Sequence, residues 1–191
     1  MNLHRHLVDI GVVPRSTTAK VFLLTEGAAQ TELQARLEFY DEPHRTLWQM
    51  NAAEQMEKYA PMLFQASQDG SLDAWLGENF DDLSLSVIHT RLDHDTLCRQ
   101  LRRFSKHEDD NGRYFLRLGD PTSLHLYVAS LASSPTQAGR FFDDGRIESI
   151  YFRDPAQGLS RQVQPLFEQR IDIAGRDGCL VWLPIALKEK G

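Results

Sequence analysis

Residues 113–131, RYFLRLGDPTSLHLYVASL, show how this chain passes from a strand to a helix. The run Tyr114–Leu118 has the length and apolar character of a strand, and Gly119 then permits a sharp turn. Asp120 can accept a hydrogen bond from a free N–H at a helix start, while Pro121 suits the first helical position because it lacks a donor. Four apolar residues then recur at the spacing of one helical face: Leu124, Tyr127, Val128 and Leu131.

The same alternation of strand-length apolar runs and helical periods extends along the chain, and it predicts an α/β fold. In the run Leu83–Thr90, the alternate residues Leu83, Leu85 and Val87 are apolar, as on one face of a strand. The remaining candidate strands are Val21–Leu24, Leu47–Met50, Met62–Gln65 and Ile147–Phe152.

Two helices have start signals before residue 80. Asn51 followed by Glu54 forms a capping-box pattern for a helix that ends before Pro61. Ser71 is expected to cap a short helix that stops at Gly77.

The clearest amphipathic helix starts at Asp93 or Asp95, whose carboxylates suit the positive end of the helix dipole. Its apolar positions are Leu97, Cys98, Leu101 and Phe104. The basic residues in and just after this helix are Arg99, Arg102, Arg103 and Lys106. We interpret this basic run as the solvated face of the helix rather than as a phosphate-binding patch.

Length and punctuation predict one domain over residues 1–191, since a chain of 191 residues is near the size of a single core. We expect a mixed central sheet flanked by helices. Pro and Gly punctuation predicts a less regular C-terminal extension over residues 153–191. Within it, Gly175–Gly178 is expected to form a turn between Ile171–Ile173 and Leu180–Leu183.

Composition argues against several functional classes. With 41% hydrophobic and 25% charged residues this is an ordinary globular sequence, and its net charge of −6 argues against nucleic acid as a general partner. No apolar run approaches the roughly 20 residues that cross a bilayer. Because Met1–Lys20 lacks the apolar core of a secretion signal, we expect a cytoplasmic protein with no membrane partner. We expect Cys98 and Cys179 to be free thiols.

Common catalytic and metal-binding patterns are absent from the sequence. It has no G-x-S-x-G, G-x-x-x-x-G-K, G-x-G-x-x-G or H-E-x-x-H pattern. The tightest histidine group is His89 with His94, beside the acidic residues Asp93 and Asp95. It lacks a recognised ligand spacing, and its carboxylates suit a helix cap better. The acidic run Glu108–Asp110 lacks the calcium-loop pattern and predicts a polar turn, so we expect no metal, cofactor or catalytic residue.

Arg117 and Asp120 bracket the end of the candidate strand Tyr114–Leu118, where α/β proteins tend to bind ligands. We favour a structural ion pair that anchors the turn, with a ligand contact as the alternative. In a competing hypothesis, a small enzyme would use these two residues with His89 and would bring all three into one polar pocket.

Several short elements occur in the order found in one protein family. They are Tyr59–Leu63, Trp75–Leu76, Leu85–Val87, Leu101–Phe104, Asp110–Pro121 and Arg140–Phe142. Over about Lys20–Phe152 the chain resembles the type VI secretion effector chaperones, also called adaptor proteins of the Tap or TEC type and long catalogued as a domain of unknown function. The sequence departs from that family at Thr122, where Arg often follows Asp-Pro, and at Gln100, where His is frequent. It also departs at Asp143–Asp144, where Gly-Pro is usual.

The resemblance implies a protein that binds one toxin effector in the cytoplasm, stabilises it and delivers it to the VgrG spike without catalysis. The residues that it singles out for the motif or for partner binding are Arg103, Arg117, Asp120, Pro121, Phe141 and Phe142. Paired aromatic residues are more often core than interface, so we expect Phe141 and Phe142 to pack inside. An immunity or regulatory protein that binds a toxin is the alternative, and a small α/β enzyme is a further one.

Overall fold

An eight-stranded antiparallel sheet organises the chain in a computed structural model that describes residues 1–27, 31–48, 60–109, 112–167 and 173–186. Its strands, in spatial order, are β2 (His44–Thr46), β3 (Pro61–Phe64), β1 (Lys20–Glu26), β4 (Leu85–Thr90), β7 (Ile147–Asp154), β8 (Leu159–Pro165), β10 (Leu180–Pro184) and β9 (Arg176–Asp177). Two further strands, β5 (Lys106–Asp109) and β6 (Gly112–Phe115), form a separate hairpin.

Helices cover both faces of the sheet. They are α1 (Leu3–Asp9), α2 (Thr31–Phe39), α3 (Ser71–Asn79), α4 (His94–Arg102), α5 (Pro121–Ser130) and α6 (Pro135–Phe141). Helices α1 to α3 pack on one face through buried leucines such as Leu7 and Leu76, and α4 to α6 pack on the other through Leu97, Leu124 and Phe141. The predicted α/β fold with a central sheet flanked by helices is therefore confirmed. Within the described part of the chain, no helix has both the length and the apolar character needed to span a membrane.

The central strands β1 and β4 are buried on both faces, which explains the continuous apolar run Val21–Leu24 within β1. In β1, Phe22 joins the layer of α4 to α6, whereas Leu23 joins the layer of α1 to α3. Leu83, Leu85 and Val87 all belong to the α1 to α3 layer, so their predicted common face is confirmed.

Every described pairing between strands of this sheet is antiparallel, although the alternation of strands and helices predicts a mixed sheet. Such alternation is typical of parallel crossover units. Here β1 lies between β3 and β4 and runs opposite to both. Strands β7 and β8 are joined by a short 3-10 turn at Pro155–Gln157, an ordinary antiparallel connection. The helices therefore cover the sheet without linking parallel neighbours.

Four predicted strands are confirmed. Val21–Leu24, Met62–Gln65, Leu83–Thr90 and Ile147–Phe152 correspond to β1, β3, β4 and β7. The predicted strand Leu47–Met50 is wrong at its start, because the local strand is β2 and Leu47 follows it in a bend, where its N–H donates to the Pro61 carbonyl at 2.8 Å. Its last two residues lie outside the described residues, as does the helix predicted from Asn51 as far as residue 59.

The segment before α5 belongs to a hairpin, whereas the sequence predicts a strand of the main sheet over Tyr114–Leu118. Strand β6 ends at Phe115 and pairs with β5. One further bond continues this pairing beyond β6, since the Leu116 N–H donates to the Ser105 carbonyl at 3.0 Å. Part of the predicted polar turn is also strand, since β5 extends to Asp109.

Helix α4 begins as predicted, with Asp93 at its N-cap, where the carboxylate accepts the Thr96 N–H at 2.8 Å. Helix α3 differs from its prediction at both ends, because Gly70 rather than Ser71 takes the N-cap position and the helix continues past Gly77. The backbone at the start of α1 passes so close to Gly77 that a Cβ there would collide with it. The glycine therefore serves close packing of α1 on α3 and does not end the helix.

The C-terminal part of the chain is more regular than predicted, because β8, β9 and β10 extend the main sheet beyond β7. Strand β8 lacks an apolar run because several of its buried side chains are polar. Gln162 donates to the Val12 carbonyl and to the Ser149 hydroxyl, each at 2.9 Å, and Ser160 bonds the Tyr151 hydroxyl at 2.9 Å. Hydrophobic patterning therefore does not reveal this strand.

The predicted turn at Gly175–Gly178 carries the two-residue strand β9 and leads into β10, which confirms the predicted strand Leu180–Leu183. Gly178 has a φ of +56° and lies so close to the Ala132 carbonyl that a Cβ would collide with it. The next residue, Cys179, is a buried free thiol, as is Cys98, and both agree with expectation. Of the run predicted before the turn, residues 171 and 172 lie outside the described residues.

Gly119 lies where the chain enters α5 and packs against β1. A Cβ there would lie 2.7 Å from the Thr25 carbonyl oxygen and 2.8 Å from the Glu26 amide nitrogen. We predict that Gly119→Ala lowers the free energy of unfolding in urea by about 1–3 kcal/mol, the usual cost of overpacking. Gly158→Asn is the control, since a Cβ at Gly158 meets open space and Asn tolerates its φ of +63°. Wild-type stability of Gly119→Ala would contradict the close approach.

His125 lies on α5 against Phe152 and Trp182, with ring centroids 5.4 and 4.9 Å away. Burial lowers its pKa from the ordinary 6.5, and Arg161 adds to this effect. The unfolded chain binds the proton more readily, so the stability that neutral His125 provides is lost as the pH falls below about 6.5. We predict that the melting temperature of His125→Phe minus that of wild type increases as the pH is lowered from about 7.5 to about 5.5. A difference independent of pH would show that His125 does not titrate differently on folding.

Candidate partner-binding site

Helix α5 begins at the turn that contains Asp120 and Pro121, as the sequence predicts. Asp120 is the N-cap, and its carboxylate accepts the Thr122 N–H at 3.0 Å and the Ser123 hydroxyl at 2.9 Å. Pro121 takes the first helical position and is buried. Two of the predicted site residues therefore shape the start of the helix.

Arg117 lies between two carboxylates at the same turn. Its Nε is 4.0 Å from Glu26 Oε1, and one terminal nitrogen is 3.7 Å from Asp120 Oδ2. Both separations exceed a hydrogen bond and Arg117 is exposed, so each contact is worth about 0–1 kcal/mol at most. Burial raises the pKa of Glu26, the Arg117 charge opposes that rise, and the Asp120 charge adds to it. The favoured structural ion pair is present, but it is weak.

Thr122, which stands where the resembled family often has Arg, ties the turn to the main sheet. Its hydroxyl donates to one Asp154 oxygen at 3.0 Å, and the Ser84 hydroxyl donates to the other at 3.0 Å. Asp154 ends β7 and is buried, so its carboxylate needs such donors. The turn is thus held to β7 as well as to β1.

The residues of the competing enzyme hypothesis do not meet in one pocket. Arg117 and Asp120 lie near Glu26, the last residue of β1, whereas His89 pairs with Val21 at the other end of that strand. About 16 Å of strand separates the two positions, given the rise of roughly 3.3 Å per residue. The three-residue pocket of that hypothesis is therefore not formed.

His89 and His94 have separate partners on opposite faces of the sheet. His89 contacts the Thr17 hydroxyl at 3.0 Å and the Glu148 carboxylate at 3.2 Å, while the His94 ring bonds the Leu63 carbonyl at 3.1 Å. Burial lowers the pKa of both imidazoles. Across the residues that the structure describes, no group of three or more His, Cys, Asp or Glu side chains could hold a metal ion.

Phe141 and Phe142 are fully buried, which confirms the expectation that they pack inside. The Phe141 ring contacts Phe104, Tyr127 and Phe142 with centroid separations of 5.1, 5.6 and 5.3 Å. Phe104 is only partly buried, so this aromatic cluster is exposed to solvent at Phe104. Phe141 and Phe142 are therefore core residues that do not reach the surface, and Phe141 packs against the partly exposed Phe104.

Between α4 and α6 lies a cavity of about 600 Å³, which we call the α4–α6 cleft. Among the residues that line it are Gln100, Arg103, Phe104, Arg140, Asp143, Asp144 and Phe167. Arg103, the predicted site residue not yet described, is exposed on the wall of the cleft, and Phe167 is 49% exposed. The cleft thus combines cationic and aromatic side chains that solvent can reach.

Gln100 joins the two sides of the α4–α6 cleft. Its amide nitrogen donates to the Arg140 carbonyl and, at 3.3 Å, to the Phe141 carbonyl, while its amide oxygen accepts from Arg103 at 3.3 Å. Because Gln100 is buried, these bonds satisfy both ends of its amide and hold Arg103 beside α6. Two separate elements of the family resemblance are thereby brought to one surface.

Sequence reasoning missed the roles of Gln100 and Phe167. Gln100 precedes Leu101 on the inner side of α4, and a polar residue at a buried position signals a buried hydrogen bond. Phe167 follows β8, outside the segment that resembles the family, and no pattern in the sequence marks it. Only the first of these two residues could have been found in advance.

A family model, described as Domain of unknown function (DUF4123), matches residues 21–138. The match covers more than half of the chain, and the chain therefore belongs to this family. No curated protein and no solved structure matches it. The matched segment contains Arg103, Arg117, Asp120 and Pro121, and it ends just before Arg140.

Replacing the cap of α5 tests whether Asp120 is structural. Asp120→Ala should lower the free energy of unfolding in urea by about 0.5–2 kcal/mol, whereas Asp120→Asn should stay close to wild type because Asn caps helices equally well. Wild-type stability of Asp120→Ala, together with loss of a bound partner, would show that the residue acts in binding instead.

Proposed function

We propose that the protein is an adaptor of a type VI secretion system, which binds one toxin effector in the cytoplasm, stabilises it and helps to load it onto the VgrG spike. The DUF4123 domain is known in type VI effector adaptors. The resemblance over about Lys20–Phe152 and the family match over residues 21–138 fall on the same part of the chain. This overlap supports the adaptor class over the other functions considered.

The observation that carries the proposal is the α4–α6 cleft. It places Arg103 and Arg140, both exposed, near the half-exposed ring of Phe167. Arginine and aromatic side chains are enriched in protein interfaces and dominate their binding energy. A cleft of this composition is suited to a segment of a protein partner.

The cleft is also well supported from behind, which favours binding. The buried ring of Phe141 packs against Phe104, which lines the cleft, and the hydrogen bonds of Gln100 hold its two walls together. A site that is already ordered loses less conformational entropy when a partner binds. This support is what a protein needs if it must hold an effector until secretion.

A stable adaptor–effector complex needs more surface than one cleft offers, because lasting interfaces bury at least about 1,200 Å² in total. The helical layer around the cleft can supply it. Leu126 of α5, in the same layer, has 63% of its surface exposed. We infer that the α4–α6 cleft anchors one effector segment and that neighbouring exposed helix surface completes the interface.

Co-expression with the effector encoded beside this chain's gene tests the proposal. We expect the two proteins to co-elute in size-exclusion chromatography, and we expect VgrG to retain the effector only when the chain is present. An effector from an unrelated spike cluster is the matched control and should elute separately. Failure to bind the adjacent effector or its N-terminal fragment, with turnover of a small substrate, would reject the adaptor function. Inhibition of the toxin without transfer to VgrG would instead identify an immunity protein.

A further inference from the structure

We propose that the α4–α6 cleft takes a segment of the partner in which an acidic side chain lies next to an apolar one. This inference rests on the proposed adaptor function, since it names the chemistry of the segment that the adaptor holds. Three features of the cleft carry it: two exposed guanidinium groups, a half-exposed aromatic wall, and a carboxylate that is already paired.

Among the described residues, the two guanidinium groups of the cleft have no carboxylate partner. Arg103 donates to the neutral amide oxygen of Gln100 at 3.3 Å. Arg140 is exposed on the facing helix, and the backbone carbonyl of this residue accepts from the same glutamine. Within the described side chains, neither arginine forms an ion pair. Because guanidinium groups bind carboxylates through paired, charge-assisted hydrogen bonds, an acidic side chain is their natural complement.

Phe167 supplies the apolar side of the cleft. Its ring lies over two glycines, since Cβ atoms at Gly139 and Gly145 would be 3.8 and 3.4 Å from it. The other part of its surface is exposed, and Phe104 adds a second ring that the aromatic cluster supports. An aliphatic or aromatic side chain of the partner can therefore pack against these rings beside the arginines.

The carboxylates of the cleft do not cancel its arginines. Asp143 forms an ion pair with Arg146 at 2.6 Å. Of the residues that line the cleft, only the carboxylate of Asp144 then remains to offset the positive charges of Arg103 and Arg140. Among the described residues, the cleft thus has an excess of positive charge on a chain whose net charge is −6. A basic segment would be repelled here, and a purely apolar one would desolvate two guanidinium groups without compensation.

The experiment measures the dissociation constant of the complex with the effector encoded beside this chain's gene. We expect Arg103→Gln with Arg140→Gln to raise it at least about tenfold, and Arg103→Lys with Arg140→Lys to raise it less because charge is kept. Arg5→Gln is the matched control and should not change it. Arg5 is exposed on α1, which packs on the face of the sheet opposite to the cleft. Melting temperatures check that every variant folds.

Salt dependence separates the charged half of the proposal from the apolar half. The difference in affinity between wild type and the double Gln variant should shrink between about 50 and about 300 mM NaCl, because ions screen exposed charge pairs. Phe167→Ala should also weaken the complex, by a factor that salt leaves nearly unchanged. Wild-type affinity of Phe167→Ala would overturn the apolar half.

The remaining outcomes distinguish this inference from the adaptor function. Wild-type affinity of the double Gln variant would show that the effector binds elsewhere, and the adaptor function would stand. The proposal of an acidic side chain in the segment would be wrong if the double Lys variant bound the effector as weakly as the double Gln variant. It would also be wrong if salt did not change the difference in affinity between wild type and the double Gln variant. Absence of any complex with the wild-type chain would reject the adaptor function and this inference with it.

Discussion

The burial of β1 and β4 on both faces is the constraint on which the rest of the fold depends. A strand with no solvent-facing side needs a helical layer above and below it. The helices that precede β4 in the chain supply one layer, and those that follow it supply the other. Polar groups near the strand ends are then enclosed as well, and Asp154, His89 and Arg153 each have hydrogen-bond partners there.

The buried amide of Gln100 links this packing to the surface. An unsatisfied buried amide is costly, so the position of α6 relative to α4 is tied to the bonds that Gln100 makes. The same bonds fix where Arg103 lies and where the chain enters the Phe141–Phe142 pair. The shape of the α4–α6 cleft is therefore a property of the core, and buried residues take part in setting it.

Features with a local cause could be predicted from the sequence. Asp93 and Asp120 cap their helices as expected because the capped N–H groups lie two or three residues away. Features that depend on distant partners could not. Strand β8 has no hydrophobic pattern to reveal it, because its buried Gln162 is hydrogen-bonded to Val12, which is distant in the sequence. The direction of each strand depends on its pairing partner, which the alternation of strands and helices does not specify. Arg103 could likewise be singled out alone, but its meeting with α6 is a tertiary contact.

The order of strands in the sheet shows that the segment matched by the family model is shorter than the segment needed to complete the sheet. Strand β4 has β7 as a neighbour, and β7 starts at Ile147, after the family segment 21–138 has ended. A chain cut at residue 138 would expose the backbone N–H and C=O groups of β4 along an apolar edge, the kind of edge to which strands of other molecules add. Strand β7 therefore protects β4 from self-association, and a fragment designed to stay soluble has to extend beyond the family segment to include it.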